Sequence, residues 1–232
     1  MSDTRSDYRL LVAEHAVSLL EGIVRGRRIP APIDWEEAAR LLREARGIVK
    51  RMRFSFMPAT MLARSPDAKS LQEIAKRLVD VVLPREWVER LRGDQRARMP
   101  IAEARYAIRT LYTLPARLAL GDDNNPLYAV DIECVRIITV SKIRGAERLY
   151  VTKAQGTLPY TIVTNIQDVK QGEVRAAAVL PPREFMGYIS EAMYCSKPLQ
   201  DCQVGKRPSP DQVEKGEVTR IVYEIAAQVP GS

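Results

Sequence analysis

The sequence predicts an α+β chain: an all-α N-terminal domain, then a five-stranded β-barrel, then a C-terminal helix. Three observations carry this. From Ser6 to about Leu120 apolar residues recur at three- and four-residue steps. After the turn cluster "GDDNNP", Gly121 to Pro126, the period falls to two, with Val, Ile and Thr enriched. Near the C-terminus a helical apolar stripe returns, through Val213, Val218, Ile221, Val222 and Ile225.

In the first half, "YRLLVAEHAVSLLEGIV" places Leu10, Leu11, Ala13, Val17, Leu20 and Val24 on one helical face. "IDWEEAARLLREARGIVKRM" opens with Asp34 as N-cap and Glu37 three residues on, a capping-box spacing. "SPDAKSLQEIAKRLVDVVL" starts with Ser65 as cap and Pro66 in the first turn, and Pro84 stops it. "PREWVERLRGD" reads as a short helix ended at Gly93, and "PIAEARYAIRTLYTLPARLAL" as a fifth, bent at Pro115. These make a helical domain over residues 1–121, with 122–127 as linker.

Beyond the linker, "YAVDIECVRIITVSK" is a long strand, followed by "RLYVTKAQG" and "LPYTIVTNI". "IQDVKQG" is a brief helix or turn, "EVRAAAVL" the fourth strand, and "VLPPREFMGYISEAMYCS" holds the fifth. Five short strands in about seventy residues fit a small closed barrel, of which the OB-fold is the commonest nucleic-acid-binding example. It is expected over residues 128–200, with a C-terminal extension and helix over 201–232 headed by Ser209 and Pro210.

Composition narrows the function. Among 232 residues, 46% are hydrophobic, enough for a core, and the net charge of +7 with a pI near 9.4 points to an acidic partner such as nucleic acid. Residues 1–127 carry 23 Lys+Arg against 17 Asp+Glu, a net of +6, and residues 128–232 a net of +1. The first half is overwhelmingly Arg rather than Lys, which suits phosphate forks and base stacking, and equally suits genome composition or heat adaptation. No apolar run has the length of a membrane span, and "MSDTRSDYRLL" lacks the order of a secretory signal, so a cytoplasmic protein is expected.

Metal and catalytic chemistry find little support. Cys134, Cys195 and Cys202 form no CxxC pair and His15 is the only histidine, so no metal site and no cofactor are expected. The cysteines read as reduced, mostly buried thiols; a Cys195–Cys202 bridge would need an organism that keeps intracellular disulfides. No phosphate loop, nucleophile elbow, HExxH or GxGxxG appears, and the acid pairs Glu36-Glu37 and Asp122-Asp123 fall at a helix start and in a turn. The expectation is a protein that is not an enzyme.

Four stretches carry a resemblance: "VDIECVRIITV", "GAERLYV", "YTIVTNI" and "LPPREFMGYISEAM". Residues from about 128 to 196 resemble the tRNA-binding OB-fold domain. That domain is appended to many methionyl-tRNA synthetases and occurs in the bacterial phenylalanyl-tRNA synthetase beta chain. It is also found as stand-alone tRNA-binding proteins and in an animal synthetase-complex cofactor. The spacing of basic residue, Gly, Ser, acidic residue and Met in the last stretch is its most specific feature. The family's His-Pro and a Gly are replaced by "KIRGAERL" and Asn165.

The resemblance implies tRNA binding by the face of strands two and three and the loops beside it. In the fourth-to-fifth loop, "PPREFMGYI", the prolines pre-set the backbone, Arg183 offers a phosphate or base-edge contact, and Gly187 permits close approach. Ser190 and Met193 stand where the family touches tRNA, with Glu191 beside them. The plainer reading has Met193 in the core and Ser190 and Glu191 capping a turn; chemistry alone favours it for Met193, while the motif favours binding for Ser190. Lys142, Arg144, Arg148, Asn165 and Lys170 complete the expected RNA-binding set. The implied partners are tRNA or other structured RNA, with an aminoacyl-tRNA synthetase or the ribosome as associates and a homodimer as one assembly. The alternative is an adaptor whose helical half docks a ribosomal particle or a protein.

Overall fold

A computed structural model describes residues 4–231; the first three residues of the N-terminal stretch and Ser232 lie outside the described residues. The chain forms two compact units. One runs up to Val130 and takes in the chain from Arg220 onward, and the other spans Asp131–Thr219.

The helical unit contains α1 (Tyr8–Arg25), α2 (Trp35–Arg53), α3 (Ala59–Leu62), α4 (Pro66–Val82), α5 (Arg85–Arg90) and α6 (Gln95–Leu118). α1 packs on α2 and α6, and α4 closes against the same two helices. Their shared core holds Leu10, Leu20, Leu41, Leu71, Leu78 and Leu111, all fully buried. Burying such side chains stabilises by about 1.5–3 kcal/mol each, before the entropy cost of ordering the chain.

The caps show how local chemistry sets the helix ends. Asp34 Oδ1 accepts from Glu37 N at 2.9 Å, and Ser65 Oγ accepts from Ala68 N at 3.2 Å. The expected capping box at Asp34 is only half built, because the Glu37 carboxylate takes Arg40 and Arg77 instead. The last long helix starts at Gln95, capped by Asp94, rather than at Pro100; that proline lies in the second turn, where it forgoes one i→i−4 hydrogen bond. The four-residue α3 was not expected: it has too little sequence to show a period.

Many arginines of this unit pair with carboxylates. Arg46 reaches Glu21 at 2.6 Å, Arg77 reaches Glu37 at 2.5 Å, Arg51 reaches Asp67 at 2.7 Å and Arg28 reaches Glu103 at 2.7 Å, each joining two segments. Such networks are the pattern of heat adaptation, and they occupy guanidinium groups that the charge count alone offers to phosphates.

The "GDDNNP" stretch is fastened down. Buried Arg9 donates to the Gly121 carbonyl at 2.6 Å, Tyr8 N donates to Asn124 Oδ1 at 2.9 Å, and Asp122 Oδ1 accepts from Thr60 N at 2.9 Å. The C-terminal stripe becomes α7 (Lys215–Ala226). Ala226 and Val229 pack on Leu11, and the Tyr223 ring lies 5.2 Å from that of Tyr8. Ser209 and Pro210 head only a single 3₁₀ turn, Pro210–Gln212, closed by its own capping box, and the α-helix begins afterwards.

The second unit is a five-stranded antiparallel sheet: β1 (Ile132–Lys142), β2 (Tyr150–Gln155), β3 (Pro159–Thr164), β4 (Val174–Phe185) and β5 (Tyr188–Tyr194). The order is β3-β2-β1-β4-β5, and outer strands β3 and β5 lie side by side, so the sheet curls into an OB-like barrel. The prolines expected in a loop lie inside β4. Val179 opposes Ala192 but Arg183 opposes Ser190, a register shift across Leu180-Pro181-Pro182. Two residues without an N–H cannot maintain the ladder, and a bulge absorbs them.

The cysteines depart from expectation. Cys134 on β1 bonds to Cys202, with Cα atoms 6.1 Å apart, while Cys195 is free and buried. The extension runs beside β1, where Gly205 N donates to the Cys134 carbonyl and Cys134 N to the Lys206 carbonyl, both at 2.8 Å. That pairing delivers Cys202 to Cys134 and leaves Cys195 at the end of β5 with no sulfur to meet. Burial pushes the Cys195 thiol up to about 12.

Candidate nucleic-acid interface

One lip of the barrel gathers most of the expected cations. β1 ends at Lys142 and β2 begins at Tyr150, and the loop between them exposes Arg144 and Arg148. Lys142, Ile143, Arg144, Gly145, Ala146 and Glu147 line an open cleft. Lys142 pairs with Tyr150 and Tyr150 with Thr164, so Asn165, exposed just past β3, stands at this same end of the sheet.

The β4–β5 hairpin meets that loop. Its two turn residues, Met186 at φ 48° and Gly187 at φ 83°, both have positive φ, as a tight two-residue hairpin turn requires. Phe185 and Tyr188 face each other across the turn, and all three large side chains, Phe185, Met186 and Tyr188, are exposed. A methyl built on Gly145 would sit 3.5 Å from Met186 Cε, so the hairpin tip lies close beside the loop. Arg183 is exposed two residues before Phe185 on β4. The lip therefore sets aromatic faces and a thioether among Lys142, Arg144, Arg148 and Arg183, with Glu147 and Glu184 as its acids.

Ser190 and Glu191 occupy a different place. Ser190 is 7% exposed, and its Oγ accepts from Val163 N at 2.9 Å and donates to the Ala192 carbonyl at 3.0 Å. Glu191 Oε2 accepts from Thr161 N at 3.0 Å. These two side chains tie β5 to β3 and satisfy backbone donors on the closing edge of the barrel. Such donors left unmet inside a protein cost about 1–3 kcal/mol each. Met193 is half-buried on β5 opposite Ala178. Lys170 is exposed in the β3–β4 connection, whose Gly172 N donates to the Ile137 carbonyl, five residues along β1 from Lys142.

The barrel interior adds polar anchoring. Thr152 Oγ1 donates to the Ile162 carbonyl at 3.0 Å and lies 2.8 Å from the Tyr194 hydroxyl, whose pKa burial raises to about 12. Buried Glu133 accepts from Thr157 N at 2.7 Å, from Thr157 Oγ1 at 2.6 Å and from the Tyr160 hydroxyl, locking the β2–β3 turn. Gly156 must stay small there, since a Cβ would fall 2.9 Å from Glu133 Cδ.

Sequence reasoning passed over Phe185, Met186 and Tyr188. The signal was present: an aromatic pair around a two-residue Met-Gly turn is the pattern of a hairpin tip. Among the described residues no group of His, Cys, Asp and Glu could hold a metal ion, and no helix is long and apolar enough to cross a membrane.

No curated protein matches the sequence. Among solved structures, the chain is similar to a MetRS related protein from Pyrococcus horikoshii at 24% identity, over 39% of this chain and 90% of that one, with a TM-score of 0.30. A family model described as an alpha helical domain matches residues 1–121, more than half of the 232, and the chain belongs to that family.

Proposed function

We propose that the chain is a non-catalytic RNA-binding protein that grips structured RNA, tRNA first, at the lip of its OB-like barrel. The observation that carries this reading is the meeting of the β1–β2 loop with the β4–β5 hairpin, which gathers Phe185, Met186 and Tyr188 among Lys142, Arg144, Arg148 and Arg183. Single-stranded bases stack on aromatic faces while cations hold phosphates, and sequence-specific RNA recognition targets such unstacked bases. Asn165 can read a base edge beside the lip. In this reading Ser190 and Glu191 shape the groove by closing β3 on β5, and Met193 lies along it. The sequence resemblance to the tRNA-binding OB-fold domain agrees with the ligand class, and delivery of tRNA to an aminoacyl-tRNA synthetase is the role it implies.

The test is binding of the full chain to bulk tRNA across salt concentrations, with Phe185→Ala/Tyr188→Ala as the variant. Stacking is worth about 1–3 kcal/mol per base, so at least a tenfold loss is expected. Unchanged affinity in a folded double variant would overturn the placement of the site.

A further inference from the structure

The α2–α3 loop of the helical unit has no part in that reading, and it is built in an unusual way. Phe54, Phe56 and Met61 are exposed by 51%, 41% and 56% within eight residues of chain. Phe56 has φ 56°, a left-handed conformation that bulky side chains rarely adopt. Strain of this kind persists only where the surroundings enforce it, and it clusters at sites that bind.

The enforcement is visible. Thr4 Oγ1 accepts from Phe56 N at 3.1 Å and donates to the Arg53 carbonyl at 2.7 Å. Ser55 Oγ donates to the Met52 carbonyl at 2.8 Å. Thr60, on α3, is held through both its N–H and its hydroxyl by Asp122 Oδ1, each at 2.9 Å. Beneath the loop, buried Arg53 donates to Glu14 Oε2 at 2.9 Å, the Arg5 carbonyl at 2.8 Å and the Gly231 carbonyl at 2.7 Å. Four separate segments thus hold a loop whose outward products are two phenyl rings and a thioether.

We propose that this loop, with Met61, is a docking surface for an acidic amphipathic helix of a protein partner. The charge around it selects that occupant. Exposed Lys50 stands one helical turn before Phe54, and exposed Arg64 three residues after Met61. The Arg5 guanidinium lies 5.5 Å from the Phe56 ring centroid. Of the nearby carboxylates, Glu14 pairs with Arg53 and Asp67 with Arg51, which leaves Asp122, held by Thr60, as the anion set against Lys50, Arg64 and Arg5. An apolar centre inside a cationic rim matches a helix with apolar residues at three- and four-residue steps and Glu or Asp at its flanks. A second copy of this surface would bring like charges together. Nucleic acid is the weaker fit: each phenyl ring already carries a guanidinium, Arg53 lying 5.3 Å from Phe54, and Met61 offers apolar adaptability rather than a stacking face.

The test uses the full chain with its methionine methyls labelled with carbon-13. It is titrated with a short helical peptide of Leu, Ala and Glu, with its Lys-for-Glu counterpart, and with oligo(U). The Glu peptide is expected to shift the Met57 and Met61 signals while the Lys peptide and oligo(U) leave them in place. Phe56→Asn keeps a residue that tolerates positive φ, so it should hold Tm and weaken the peptide about tenfold, the usual cost of losing one anchoring aromatic. Met61→Glu, on the exposed face of α3, serves should Phe56→Asn fail to fold, with the peptide's weakened binding read at Met57 alone. A Glu peptide that leaves Met57 and Met61 unmoved, or binds both variants as well as the parent, would overturn the proposal. So would oligo(U) or the Lys peptide shifting those signals equally.

Discussion

Replacing Ser190 by alanine removes one oxygen that serves two backbone groups. In the parent chain Val163 N donates to it and it donates to the Ala192 carbonyl. Alanine leaves the Val163 N–H facing the barrel wall with no acceptor, at a cost of about 1–3 kcal/mol. The carbonyl suffers less, because a C=O with two lone pairs tolerates partial loss better than an N–H. Against a typical total of about 5–15 kcal/mol the effect is large. Amide hydrogen exchange at Val163 should accelerate by roughly tenfold to a hundredfold, and the unfolding midpoint in urea should fall with the slope unchanged. Trp35 and Trp87 both lie in the helical unit, so the barrel must be followed by NMR or far-ultraviolet circular dichroism rather than by tryptophan fluorescence.

Ser190→Thr supplies the control, since it keeps the oxygen, and should recover most of the protection. The opposite pattern would refute the reasoning: unchanged exchange at Val163 and an unchanged midpoint, together with weakened tRNA binding. In that case the hydroxyl would be meeting RNA rather than closing the barrel.

Three further outcomes follow from the buried groups. The Cys134–Cys202 bond closes a separation of 68 residues, which chain entropy values at about 4 kcal/mol, so dithiol reductant or Cys202→Ser should lower the urea midpoint accordingly. Iodoacetamide should leave native, oxidised protein unlabelled, because the Cys195 thiol is buried with its pKa pushed up to about 12. His15, partly buried on α1, is held below its ordinary pKa by desolvation. The unfolded chain therefore binds the extra proton first, and stability falls as pH drops below about 6.5. His15→Gln should flatten that part of the pH profile, and an identical profile for the two proteins would contradict the burial argument.

Helices and strands were legible because each has a period that one face of a core imposes. Leu10, Leu20 and Leu41 are fully buried, as their spacing implies, and the change of period near Pro126 marks the place where helices give way to sheet. What the sequence could not show were contacts chosen between two structures of equal local merit. Nothing local tells whether Glu37 caps its own helix or bridges to Arg77 on α4, and the arrival of α4 decides it. The sequence offers Cys202 two cysteines to pair with, and the pairing of Gly205 and Lys206 with β1 selects Cys134.

The same logic governs the candidate site. A Ser-Glu-x-Met motif states that these residue types recur at this spacing, but a hydroxyl at a binding surface and one closing a barrel seam read alike along the chain. Only the neighbour settles its work, and here the neighbour is β3, through Val163 and Thr161. Cations and aromatics at the lip are different, because their exposure follows from a tight turn that must project its flanking residues. Phe185 and Tyr188 could have been found from the Met-Gly pair between them, since a two-residue turn fixes which residues face each other at the tip. In the proposed reading, seam residues set the shape of the groove and lip residues supply its chemistry. Ser190→Ala should therefore act on stability first, and Tyr188→Ala on affinity first.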